Sequence, residues 1–209
     1  MTRGVFLSLD GIDGTGKSTQ CQLLADWLRG QGKEVVACAD PGGTSAGDVI
    51  RALLLDHRGD LTPVCEAFLF MASRAQLVAE VIRPALEKNQ IVVCDRFLLA
   101  NVVYQGHAGG LDPALLWNMG DLATGGLRPD LTVVLDMPLN EAQARRKRPP
   151  DRMERKDSDF HERVRAGFLT EAARSPETIK VVDASRSVEE VQVSIRREVA
   201  RVVARDQGP

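Results

Sequence analysis

Eight residues near the start, Gly11-Ile12-Asp13-Gly14-Thr15-Gly16-Lys17-Ser18, restrict this chain more than any other stretch. They fit G-x-x-x-x-G-K-[ST], a loop whose curled backbone aims successive N–H groups at a phosphate. The flanks suit that reading. Val5 to Leu9 is a short apolar run, read as a buried strand, and Thr19 to Leu28 has helical spacing. With ordinary glycine usage, a chance match in a chain of this length is about 1%. One seated between strand and helix is rarer still. A nucleoside triphosphate is therefore expected on Gly11 to Thr19, with Lys17 reaching the β- and γ-phosphates and Ser18 ligating Mg²⁺.

The rest of the chain alternates apolar runs with helical spacing. Val35 to Cys38, Ile91 to Cys94, Leu131 to Leu135 and Val181-Val182 read as further strands. Unbroken apolar strands separated by helices predict a parallel five-stranded sheet covered on both faces, an α/β P-loop NTPase fold. The 209 residues are read as one domain, 1–209, with a flap around 145–157. Leu98 to Gln105 reads as a helix, and Pro84 is expected to kink its helix or start a new one. Thr62 with Pro63, Asp112 with Pro113, and Ser187 with Glu190 read as helix starts.

Net charge is −2, which argues against general binding to nucleic acid or an anionic membrane. No apolar run approaches a membrane span, and Asp10 ends the first too early for a signal peptide, so the cytoplasm is expected. Cys21, Cys38, Cys65 and Cys94 form no C-x-x-C and read as small hydrophobes.

Polar residues gather just after strand ends, at Asp10 to Ser18, Asp40, Asp95-Arg96 and Asp136. Ligands of an open parallel sheet bind beyond those ends. Asp95 suits Mg²⁺ held through water, and Arg96 suits a phosphate; the plainer alternative is a structural ion pair. Arg145 to Arg155 holds six Arg/Lys in eleven residues, broken by Pro149-Pro150. Most such runs are solvated loops. In an otherwise acidic chain, this one reads as a mobile flap that brings arginines to a transferred phosphoryl group. No N-K-x-D segment for guanine is present, and a motor or transporter ATPase needs more chain. A small kinase remains.

Taken together, several stretches resemble the thymidylate kinase family of the bacterial type. They are Gly11 to Ser18, Pro41-Gly42-Gly43-Thr44, Ile50 to Leu55, and Leu69-Phe70 with Arg74. The match continues through Asp95-Arg96-Phe97, Tyr104-Gln105-Gly106, Arg128 to Thr132 and Asp151-Arg152-Met153-Glu154. The resemblance implies ATP- and Mg²⁺-dependent phosphorylation of dTMP to dTDP. It implies that Phe70 stacks on thymine, that Arg74 meets a base carbonyl, and that Asn101 and Gln105 face the base edge. It implies Arg96 and Arg51 on the acceptor phosphate, Asp13 near the sugar 3′-hydroxyl or a metal-bound water, and Tyr104 at the 2′ edge. It also implies a homodimer through helices around Phe68 and Leu98 to Val103.

The chain departs from the family at Asp10, where glutamate is usual, and at Ala39-Asp40, where Arg-Glu is usual. Both lie on the substrate side. Phe97 and Met153 are further departures that conserve volume. The loop carries no arginine at Asp13 to Thr15, a case in which the family's flap supplies it. Arg146, Arg148 and Arg152 are the candidates. The acceptor is itself a phosphate, with a second pKa of about 6, so in-line transfer needs no general base. The rivals are another nucleotide or deoxynucleoside kinase, or a module that binds ATP without transfer.

Overall fold

The computed structural model describes residues 3–57, 59–146, 149 and 151–205. Its centre is a sheet of β1 (Phe6–Gly11), β2 (Val35–Ala39), β3 (Ile91–Asp95), β4 (Leu131–Asp136) and β5 (Ile179–Asp183). The order is β2-β3-β1-β4-β5, and every neighbouring pair is parallel. β1 is central and buried along its whole length, which explains its apolar Phe6, Leu7 and Leu9, with Ser8 and Asp10 the buried polar exceptions.

Helices α1 (Lys17–Gly30), α2 (Ser45–Asp56), α3 (Pro63–Leu77), α4 (Arg83–Glu87) and α5 (Leu98–Asn101) connect the first three strands and leave the third. Then come α6 (Pro113–Thr124), α7 (Leu139–Ala144), α8 (Ser158–Arg174) and α9 (Val188–Arg205). Alternate strand residues point to opposite faces, so each face builds its own core. Phe6, Val92 and Cys94 pack with Met71, Leu77, Leu86 and Leu116. Leu7, Leu9 and Val93 pack with Leu24, Phe168 and Ile195.

The helix starts follow the side chains read as caps. Thr62 Oγ1 accepts from Cys65 N, and Asp112 Oδ1 accepts from Ala114 N. Ser187 and Glu190 exchange reciprocal bonds at 3.1 and 3.2 Å. Two stretches expected to be plain α-helix widen into π turns. Val78–Ile82 does so just ahead of Pro84, which has no N–H with which to continue an α pattern. Val102–His107 does so directly after α5, and both Tyr104 and Gln105 line the cavity described below.

The dimer face expected at Leu98 to Val103 needs correcting. Leu98, Leu99, Val102 and Val103 are buried inside the chain, packed between the sheet and its covering helices. Phe68 does face outward. Other exposed apolar side chains on α2, α3 and α6 are Val49, Leu53, Val64, Leu115 and Leu122.

Candidate active site

The loop between β1 and α1 turns at Gly14, whose φ is 96°. A Cβ there would stand 2.0 Å from Ala142 O, so only glycine lets the loop lie against α7. Lys17 is buried and spans its own loop, donating to Ile12 O at 2.9 Å, with Asp13 Oδ1 at 3.6 Å. Burial, reinforced by the charge of Arg96, pulls its ammonium below the usual lysine range. The N-terminus of α1 adds its positive dipole end beside Gly14, Gly16 and Lys17.

Arg96 follows β3 with φ 68°, a left-handed conformation uncommon for a side-chain-bearing residue. That turn sends its guanidinium back across the sheet ends. It donates to Gly11 O at 3.0 Å, Asp13 Oδ1 at 2.5 Å and the Tyr104 hydroxyl at 3.3 Å. Tyr104 in turn donates to Asp13 Oδ2 at 3.1 Å. Burial alone would raise the Asp13 pKa, but Arg96 and Lys17 outweigh it and hold the carboxyl well below its ordinary value. Burial, with Asp13 adding, raises the Tyr104 phenol, which stays protonated.

Beneath this lies Asp10, fully buried, its Oδ2 accepting from Ser8 Oγ at 3.1 Å and its Oδ1 without a partner among the described residues. Burial pushes its pKa to about 6, against the pull of Arg96.

A second cluster lies at the far side of the same cavity. Arg74 is 1% exposed, and its Nε donates to Asp40 Oδ2 at 2.6 Å. Its NH1 donates to Asn101 Oδ1 at 3.1 Å, and its guanidinium lies over Phe97, 5.5 Å from the ring centre. Burial pushes the Asp40 pKa up in spite of Arg74. Asn101 Nδ2 donates to Gln105 Oε1 at 2.9 Å, and Gln105 Nε2 to Glu66 Oε2 at 2.9 Å. Arg51 NH1 donates to Pro41 O at 2.7 Å. Phe70, Arg51 and these groups share one cavity of about 560 Å³ with Lys17, Ser18, Asp95 and Arg96.

The basic stretch divides. Arg146 lines that cavity, and its Nε and NH2 are buried with no hydrogen-bond partner among the described residues. Arg152 is turned elsewhere. Its NH1 donates to Glu66 Oε1 at 2.5 Å, its Nε to Leu54 O at 2.8 Å, and its backbone N to Leu55 O. Arg152 is thus placed to hold the flap base to α2 and α3, not beside Lys17. Arg148 lies outside the described residues.

Sequence reasoning missed two groups. Arg145 donates to Ala184 O at 2.8 Å and Ser185 O at 3.0 Å, forming one wall of a second cavity of about 500 Å³ behind Gly14 to Thr19. No sequence signal links those distant segments. Glu66 was legible, because Glu66, Phe70 and Arg74 recur every fourth residue and so share one face of α3.

For a metal ion, Ser18 Oγ donates to Asp95 Oδ2 at 2.5 Å on the cavity wall. A hydroxyl beside a carboxylate is a hard oxygen pair that fits Mg²⁺.

The family profile described as thymidylate kinase matches residues 9–195. The chain belongs to the thymidylate kinase family. The thymidylate kinase of Symbiobacterium thermophilum is 48% identical over 204 residues, covering 96% of this chain and 95% of that protein. The one from Leifsonia xyli subsp. xyli is 47% identical, covering 92% and 93%. The crystal structure of the Ehrlichia chaffeensis thymidylate kinase superposes with a TM-score of 0.80 at 29% identity, covering 94% and 99%. This dTMP kinase phosphorylates dTMP to dTDP, and its family uses ATP.

Proposed function

We propose that the kinase holds both nucleotides in the single cavity and moves the γ-phosphoryl group in line between them. The triphosphate of ATP lies on Gly11 to Thr19, with Lys17 swinging from Ile12 O onto the β- and γ-phosphates. The second cavity, behind Arg145, takes the adenosine end. Thymine stacks on Phe70, with Arg74, Asn101 and Gln105 along its edge and Asp40 holding Arg74 in place. Arg96 and Arg51 take the acceptor phosphate. Asp13 faces the sugar 3′-hydroxyl, and Tyr104 closes the 2′ side against ribonucleotides. Ser18 and Asp95 would hold Mg²⁺, directly or through water, and the ion when bound offsets charge on the donor phosphates.

The observation that carries this reading is Arg146, a half-buried side chain whose Nε and NH2 are buried without a hydrogen-bond partner among the described residues, in the same cavity as Lys17 and Arg96. Buried N–H donors left without an acceptor are costly, so their natural partner is an anion that arrives with substrate. Donor and acceptor phosphates repel each other, and three converging cations offset that repulsion while the flap (145–157) excludes water. The acceptor oxygen is already an anion, so no residue serves as general base.

The protein acts as one domain spanning 1–209, works in the cytoplasm, and binds neither nucleic acid nor membrane. It forms a homodimer through the exposed apolar side chains of α2, α3 and α6, Phe68 among them. A coupled ADP-release assay with dTMP, dUMP, dCMP and thymidine as separate acceptors tests the chemistry. Turnover should be greatest with dTMP and least with thymidine, which brings no phosphate to Arg96. Equal use of thymidine would overturn the site.

A further inference from the structure

Arg74 can only donate hydrogen bonds, and a carboxylate can only accept them. Between Arg74 and Glu66 stand two amides, Asn101 and Gln105, each able to face either way in isolation. The bonds run in one direction: Arg74 to Asn101 Oδ1, Asn101 Nδ2 to Gln105 Oε1, Gln105 Nε2 to Glu66 Oε2. Turning either amide over would set donor against donor or acceptor against acceptor. Glu66 is itself held, by Arg152 NH1 on its other oxygen at 2.5 Å and by Lys156 Nζ at 3.8 Å. Glu66, Asn101 and Gln105 are buried, so water does not relax the arrangement.

We infer that Glu66 is a specificity-determining positioning residue: it fixes the polarity of the amide pair so that the base pocket presents hydrogen-bond donors, which select a keto pyrimidine over an amino pyrimidine. With the direction set, each amide has one N–H left over, and Arg74 NH2 has no bond among the described residues. Donors meet the carbonyl at position 4 of thymine, whereas the amino group of cytosine at that position is another donor. A site built around one polarity rejects the opposite one because its own buried groups are left unpaired. Arg152 extends the arrangement to the flap. Arg152 and Lys156 thus tie the described part of the flap base to the carboxylate that orients the amides.

This rests on thymine lying against Arg74, Asn101 and Gln105, and the experiment separates the two ideas. Steady-state kcat/KM is measured for dTMP and dCMP in the wild type, Glu66→Gln, the double exchange Glu66→Gln/Gln105→Glu, and Arg74→Ala. In Glu66→Gln the neutral amide accepts either direction. The dTMP-to-dCMP ratio should then fall at least about tenfold, with KM for ATP unchanged. The double exchange keeps a hydrogen bond between positions 66 and 105 but puts an acceptor at the base edge, so the ratio should fall further. A purely structural Glu66 would lower activity toward both acceptors equally. A ratio within about twofold of wild type in folded Glu66→Gln overturns the inference, as does loss of the fold in both variants. If Arg74→Ala leaves KM for dTMP unchanged, the placement of the base is wrong instead.

Discussion

Arg96 and Asp13 meet at 2.5 Å across eighty-three residues of sequence, the left-handed turn after β3 bringing the guanidinium to the phosphate loop. The carboxylate holds Arg96 in place through Oδ1, while its Oδ2 takes the Tyr104 hydroxyl. Asp13→Asn should therefore free Arg96 and leave a charge short of its partner. We expect kcat/KM for dTMP to drop about 100-fold and stability to fall by on the order of 3 kcal/mol. KM for ATP should change far less. Kinetics with each substrate varied, together with urea denaturation, check both parts; an equal rise in the two KM values would place Asp13 on the donor.

Lys17 is the loop's only lysine, and no other described cation reaches Ile12 O. Lys17→Ala should fold normally and lose at least about 100-fold in kcat, a loss comparable to removing one preorganised donor from a transition state. Circular dichroism and turnover on the same sample distinguish chemistry from misfolding.

The two flap arginines should separate kinetically. Arg146→Ala removes unpaired donors from the cavity and should lower kcat about 100-fold with little change in stability. Arg152→Ala strips Glu66 and Leu54 O of a partner, so its main effects should be a lower Tm and a higher KM for dTMP. Matching profiles for the two variants would refute the division.

Asp10 gives a pH signature. Its pKa rises from 3.8 in the unfolded chain to about 6 in the fold, so between those values the native state binds the extra proton. Its contribution to stability is thus greatest below pH 4 and is lost as pH rises through about 6. The shift corresponds to on the order of 3 kcal/mol. Asp13 has the opposite sign, stabilising above its unfolded pKa and losing that effect as acid protonates it. Asp10→Asn should therefore unfold later than wild type at pH 8 and match it near pH 4. Urea titrations at the two pH values measure the difference, and a constant offset would remove Asp10 as the cause.

The sequence was enough for the architecture and for the loop. Unbroken apolar strands, helical spacing and cap residues are local signals, each written in a few neighbouring residues. The need for glycine at position 14 comes from Ala142 O on α7, whereas Gly11 and Gly16 are fixed by the motif itself. The same holds for the three α3 residues at fourfold spacing, which one helix must place on one face.

What the sequence left open were the pairings between distant segments. It offered Arg146 and Arg152 as equivalents; one lines the cavity with Nε and NH2 unbonded among the described residues, and the other is bound to Glu66, eighty-six residues away. It placed Leu98 to Val103 on a surface, whereas packing between sheet and helices buries them. It could not show the shared orientation of Asn101 and Gln105. Those outcomes depend on which groups meet after the chain closes, since a long charged side chain takes whichever partner the tertiary fold brings within reach.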